Sequence, residues 1–478
     1  MIAGMNLIAG LSIAICLLVC DLRPAASIED DWTHVWAVLI VASLVPAVAF
    51  FQTSVLLNRW QRNSYSIDEK MAACRRLSVS HLLAWLSASA AIIWVLRWHD
   101  VVRGAWKIDR WPLVDEWLIF CPILISLAAS WAVFYELQLA MSDSSDNAHD
   151  KIRWHRIAIL NSMRSRWEFV SLRFRLCFLM VLIPISAFVL VRDLLEKLPS
   201  QSNFVSGTVT SLALTALLLA MPFLMLLIWK NGKIEDDDLR VRLQQISQAH
   251  RLHVFDIRCW HTGRQIVNAA VAGWLPGFRI IFLSDALLQY FPADEVAAVL
   301  RHEAGHLRLW HVPQRLILMV LPVFMIAFLS SAGQGDSMLA VPQGWRWLGF
   351  LFGGIMILLI LRWLSHQMEF EADLYAIRKN AIDEYQQATI KSTEVCPQQS
   401  AALCNALLRL AAVSGSASER RTWLHPTIRQ RLNFIARVSD EPAAANRFQR
   451  KFLSHRIRLA LFFALLSGCW WLLTPVSE

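Results

Sequence analysis

The pentapeptide His302-Glu303-Ala304-Gly305-His306 sets two imidazoles four positions apart with a carboxylate beside the first. On a helix that spacing turns both rings to one face, where they can hold zinc while the carboxylate serves as a general base. Asp294 and Glu295 favour the start of such a helix through its dipole, and the run from Val296 to Leu300 carries no breaker before Pro313. A zinc site of this kind needs a third protein ligand. A histidine six residues beyond His306 is absent, since position 312 is Val, and His311 is out of register and reads as an interfacial side chain.

The other known arrangement takes a glutamate from a second helix downstream, and the stretch from Ser365 to Ala376 offers one. Glu369 and Asp373 are one helical turn apart, so Glu369 can bind metal while Asp373 holds a ligand histidine in its tautomer. Glu371, off that face, reads as part of a solvated acidic surface.

At these residues the chain resembles the HtpX and CAAX prenyl protease group of integral-membrane zinc metallopeptidases. The group's H-E-x-G-H is matched from His302 to His306, its S-R-x-x-E-x-x-A-D-x-x-A from Ser365 to Ala376, and its H-P-x-x-x-x-R by His425, Pro426 and Arg431. His366 stands where the group usually has Arg. The match covers residues 240–436, roughly, and includes Val267-Asn268-Ala269-Ala270 and Arg279 to Ser284, which read as short strands between Gly and Pro punctuation. The resemblance implies a zincin-like catalytic domain, helical with a small β-sheet, holding one Zn²⁺ per chain on His302, His306 and Glu369. It further implies Glu303 as the base, His425 and Arg431 near the substrate carbonyl, and the strand at Asn268 and Ala269 pairing with the substrate backbone.

Composition sets the surroundings independently. Hydrophobic residues make up 56% and charged residues 17%, with 22 Trp, which is outside the range of ordinary soluble proteins. A spanning helix needs about 20 mostly apolar residues, and about nine candidate runs occur, at 5–20, 35–56, 81–96, 117–134, 176–191, 204–229, 316–331, 347–361 and 459–473. The fold class expected is therefore a predominantly α, multi-pass membrane protein with a catalytic domain outside the bilayer. The division is an N-terminal membrane region over 1–229, a metallopeptidase domain over 230–457 interrupted by a membrane hairpin near 316–361, and a C-terminal span in 458–478.

Lys and Arg concentrate after the second run (Arg59, Arg62, Lys70, Arg75, Arg76) and after the fourth (Lys151 through Arg175), whereas the segment between the first two is acidic. The positive-inside rule then turns both halves of the zinc site to the cytoplasm, as in a bacterial inner membrane. Charges at run ends, such as Arg97 and Arg192, read as snorkelling anchors. The first run reads as a retained anchor, because no Lys or Arg precedes it.

The net charge of +9 points to anionic lipid headgroups rather than nucleic acid, for which no motif is present. The nine cysteines contain no C-x-x-C pair and receive no role. Residues 402–412 read as a helix packing on the zinc helices through Leu403, Leu407 and Leu410, and 141–150 and 414–419 as loops.

The reading is a zinc-dependent endopeptidase acting on peptide or membrane-protein substrates at the lipid bilayer. Two alternatives stand beside it. A membrane protease that cleaves a cytoplasmic repressor on an outside signal should carry an extracellular sensor domain, and only Thr474 to Glu478 follow the last run. A transporter or scaffold with a structural zinc site has no need of Glu303.

Overall fold

The computed structural model describes residues 26, 31–142, 165–197, 203–264, 266–273, 275–318, 343–378, 395–413 and 423–473. The chain divides into two compact units. The first is Met1–Gly232 with Cys259–Val267 and Ser284–Ala286, and the second is the remainder.

Among the described residues of the first unit the longer helices are, in order, α1 (Asp31–Arg62), α2 (Ile67–Ala90), α3 (Val114–Ser142), α4 (Arg166–Phe174), α5 (Met180–Glu196) and α6 (Asn203–Ile228). A capping box of Ser66 and Glu69 starts α2. Val38, Trp85, Ile92, Ile119, Trp131 and Phe178 form part of the core, and the Trp85 indole donates to the Ile123 carbonyl at 3.0 Å. Arg59 and Arg62 lie in the last turn of α1, and Lys70, Arg75 and Arg76 lie inside α2 rather than in a loop. Arg97 and Arg192 do not snorkel freely. Arg97 pairs with Asp100 at 2.6 Å, and Arg192 pairs with Glu116 at 3.2 Å and Asp193 at 2.9 Å, so carboxylates rather than headgroups neutralise them.

Among the described residues four helices, not nine, are long and apolar enough to cross a membrane: Trp32–Arg62, Glu69–Val95, Val114–Met141 and Thr208–Ile228. They coincide with the second, third, fourth and sixth expected runs. The first run, most of the seventh, the middle of the expected hairpin at 319–342, the basic stretch 151–164 and the loops at 143–150 and 414–419 lie outside the described residues. Of the other three runs, the fifth is broken by a π-turn at Arg175–Leu179, and the eighth and ninth lie within the helices Gln343–Ile377 and Pro442–Leu473.

A small mixed four-stranded sheet has the order β1-β2-β4-β3, with β1 at Asn231–Gly232, β2 at Val254–Trp260, β3 at Ala269–Ala272 and β4 at Arg279–Ser284. β4 matches its expected limits, whereas β3 begins at Ala269 and leaves Asn268 in the coil before it. β3 and β4 run antiparallel, with Ala269 opposite Leu283.

The second unit carries α7 (Asp237–Ala249), α8 (Ala293–Arg308), α9 (Gln343–Ile377), α10 (Pro397–Val413), α11 (Ile428–Asp440) and α12 (Pro442–Leu473). α8 packs on α9 and on β3, and α10 packs on both α8 and α9, burying Leu403 and Leu407. α8 ends at Arg308, short of Pro313, because Trp310 takes φ 58°, and residues 311–318 then form a further helical segment.

The crossing of α8 and α9 depends on Gly305. A Cβ added there would lie 3.0 Å from Ala372 Cα and 3.2 Å from the Ala372 carbonyl oxygen. Backbone cannot yield as a side-chain tip can, so Gly305→Val is expected to cost about 1–3 kcal/mol by overpacking. It should lower the thermal midpoint of the detergent-purified, metal-free protein, and an unchanged midpoint would contradict so close a crossing.

Candidate metal centre

α8 presents His302 and His306 on one face, and α9 brings Glu369 against them. The ligand atoms of these three buried residues all lie within 4.8 Å of one another. His302 Nε2 is 3.6 Å from Glu369 Oε2, His306 Nε2 is 3.5 Å from Glu369 Oε1, and the two Nε2 atoms are 3.2 Å apart. Two imidazole nitrogens and one carboxylate, turned to a common point, are the donor set that catalytic zinc sites use. The residues present therefore fit zinc.

Each remaining imidazole nitrogen has a partner of its own. His302 Nδ1 lies 2.9 Å from Asp373 Oδ1, and Asp373 accepts from Arg431 Nε at 2.8 Å and Nη2 at 2.5 Å. His306 Nδ1 lies 2.8 Å from His311 Nδ1, and His311 Nε2 lies 3.0 Å from Glu371 Oε2. Arg456 of α12 closes that line, with Nη2 donating to Glu371 Oε2 at 2.6 Å. His311 is thus a buried partner of His306 and not an interfacial side chain, and Glu371 is 7% exposed rather than solvated. Arg315, Arg456, His311 and Glu371 are the site residues that motif spacing passes over.

The Thr427 capping box starts α11 directly after the His425-Pro426 turn, which places Arg431 one turn in. His425 Nδ1 is 3.0 Å from Glu369 Oε1, and its side chain is 54% exposed against 11% for Arg431. Arg315 Nη2 stands 3.5 Å from the same carboxylate. Asn268 is exposed, Ala269 is half-buried at the start of β3, and His366 is half-buried on α9.

Burial opposes a proton on His302, as does Arg431, but Asp373 and Glu369 outweigh both and lift it to about 9. Burial drives His306 and His311 well below the ordinary histidine value. Burial also works against the charge on Glu369, yet hydrogen bonds from His302 and His425 hold its carboxyl well below the usual range. Burial pushes Glu303 up to about 7, with His302 pulling it down and Glu369 pushing it further.

The sequence model described as Peptidase family M48 matches residues 239–439, which contain every residue of this centre except Arg456. Protease HtpX of Hahella chejuensis is 31% identical over 116 residues, covering 22% of this chain and 40% of that protein. Protease HtpX of Ectopseudomonas mendocina matches with the same identity and coverage. The chain thus spans about 40% of the length of the curated relatives it matches. Among solved structures, the crystal structure of S. mikatae Ste24p is 18% identical, with a TM-score of 0.40, covering 83% of this chain and 98% of that one. The HExxH histidines and the downstream glutamate, brought to one point, lie inside the segment that matches peptidase family M48.

Proposed function

We propose that the protein is a membrane-embedded zinc metalloendopeptidase that hydrolyses peptide bonds of membrane or membrane-associated proteins at the cytoplasmic face. The observation that carries the reading is the convergence of His302, His306 and Glu369 with Glu303 adjoining them on α8. His302, His306 and Glu369 would hold one Zn²⁺ per chain. When bound, zinc supplies Lewis acidity that polarises a carbonyl and makes water easier to deprotonate near neutral pH.

The chain's own groups do the rest. Glu303, with its carboxyl lifted to about 7, is matched to taking a proton from the attacking water and passing it to the leaving amine. Asp373 orients His302, and Arg431 holds Asp373. His425, the more exposed of the H-P-x-x-x-x-R pair, would stabilise negative charge developing on the substrate oxygen, with Arg431 adding positive potential behind it.

β3 stands at the end of the strand order and packs on α8, so an extended substrate could add beside Asn268 and Ala269 through backbone hydrogen bonds. Such recognition is tolerant of sequence, which suits quality control or processing of many proteins. The cytoplasmic placement, in a bacterial inner membrane, rests on the basic residues at the junction of α1 and α2. The same reading assigns 1–229 to a membrane region, 230–457 to the peptidase domain and 458–478 to a terminal membrane segment.

Two measurements test it. Glu303→Gln in the full chain should keep one zinc per chain and lose about 10²- to 10⁴-fold in casein-type proteolysis, the usual worth of a general base. Wild-type activity in that variant would remove Glu303 from the mechanism, and a wild type that binds no zinc would remove the reading. Because the proton on His302 is held up to about 9, zinc must displace it throughout the neutral range. Zinc affinity of the metal-depleted protein, read by chelator competition at pH 6, 7 and 8, should therefore climb with pH by up to about tenfold per unit. A flat profile would contradict a protonated His302.

A further inference from the structure

We infer that His311 and Glu371 are positioning residues for the metal site, a relay that fixes the tautomer and ring orientation of His306 and is anchored by Arg456 of the C-terminal helix. The inference rests on the metallopeptidase reading above and extends it to residues outside the family motif.

The hydrogen directions follow from the far end. Arg456 faces Glu371 with two guanidinium nitrogens, Nη2 at 2.6 Å from Oε2 and Nη1 at 3.4 Å from Oε1, an arrangement that suits an ionised, accepting carboxylate. His311 must then present Nε2–H to Glu371 Oε2, 3.0 Å away. A neutral His311 so protonated has a lone pair at Nδ1, 2.8 Å from His306 Nδ1, and His306 must donate there. That leaves the lone pair of His306 on Nε2, the atom turned toward His302 Nε2 and Glu369. Reversing any one proton would set two donors or two acceptors face to face in a buried chain, at the cost of a desolvated, unpaired group.

The backbone is arranged to make this contact. Five residues along an unbroken helix would carry His311 well away from the face of His306. Trp310 instead adopts φ 58°, a left-handed conformation unusual for a bulky side chain, and the chain re-enters a helical segment with His311 folded back on His306, fully buried. Local strain of this kind persists where the surroundings over-determine it, and here it serves the histidine pair.

His302 has a shorter support of the same logic, Asp373 with Arg431. The two ligand histidines are therefore held by different parts of the chain. His302 depends on α9 and α11, while His306 depends on the segment after α8, on the opposite side of α9, and on α12.

The test is zinc affinity of the full chain in detergent, by competition with a chromophoric chelator, for wild type, His311→Leu, His311→Gln, Glu371→Gln and His306→Ala. A partner of this kind is worth about ten- to a hundredfold in metal affinity. His311→Leu should lose that much, and His311→Gln should recover part of it, since an amide can accept from His306 and donate to Glu371. Glu371→Gln, nearly isosteric, should weaken binding by a smaller factor. In cobalt-substituted protein the visible bands should move in His311→Leu and return toward wild type in His311→Gln, a response that a merely space-filling His311 would not give. Should His311→Leu fail to fold, Glu371→Gln decides. Wild-type affinity and bands in the folded His311 and Glu371 variants would overturn the relay while His306→Ala still loses zinc, whereas wild-type affinity in His306→Ala would overturn the metal reading itself.

Discussion

Burying three carboxylates within five residues of one helix is the constraint around which the second unit is organised. Glu369, Glu371 and Asp373 are all 7% exposed or less on α9. An uncompensated charge in such surroundings costs several kcal/mol after relaxation, so the fold must deliver a cation or a donor to each. It does so from three separate places in sequence. Arg315 and His425 stand by Glu369, Arg431 by Asp373, and Arg456 by Glu371. The order of helices after α9 can be understood through that requirement. α11 and α12 cover hydrophobic surface through Phe434, Ile435 and Phe448, but each also inserts one arginine against an α9 carboxylate.

The same constraint explains why α8 and α9 approach so closely. A carboxylate on one helix can share a ligand point with two imidazoles on another only if their backbones nearly touch. Gly305 lies inside the HExxH stretch and faces Ala372, between the ligand Glu369 and the supporting Asp373. Small residues on both helices at that one level let the polar groups above and below meet.

Much of the centre was legible because helical period carries it. His302 with His306, and Glu369 with Asp373, are four apart, so the sequence alone places each pair on one face. His311 and Glu371 were misread for the same reason. Five residues beyond His306 and two beyond Glu369, they fall off the ligand faces of uninterrupted helices. Their burial comes from a left-handed residue at Trp310 and from the packing of α12 far along the chain, neither of which is a local property of sequence. Counting spans failed differently. Hydropathy finds apolar runs but not irregular backbone, and the run at 176–191 is broken by a π-turn at Arg175–Leu179.

The asymmetry between the two histidine supports has a mechanical consequence. Asp373 sits on the same helix as Glu369, so a shift of α9 moves a ligand and the orienter of another ligand together and preserves their relation. His306 is held through His311 and Glu371 to Arg456, and α12 beyond Arg458 continues into the apolar run 459–473. A shift of α12 therefore acts directly on the support of His306, and on that of His302 only through the packing of Phe448 on Phe434 of α11. Interfaces packed this tightly change between discrete arrangements rather than by continuous bending. Of the two supports, the one behind His306 is the one joined to α12 directly, through Arg456.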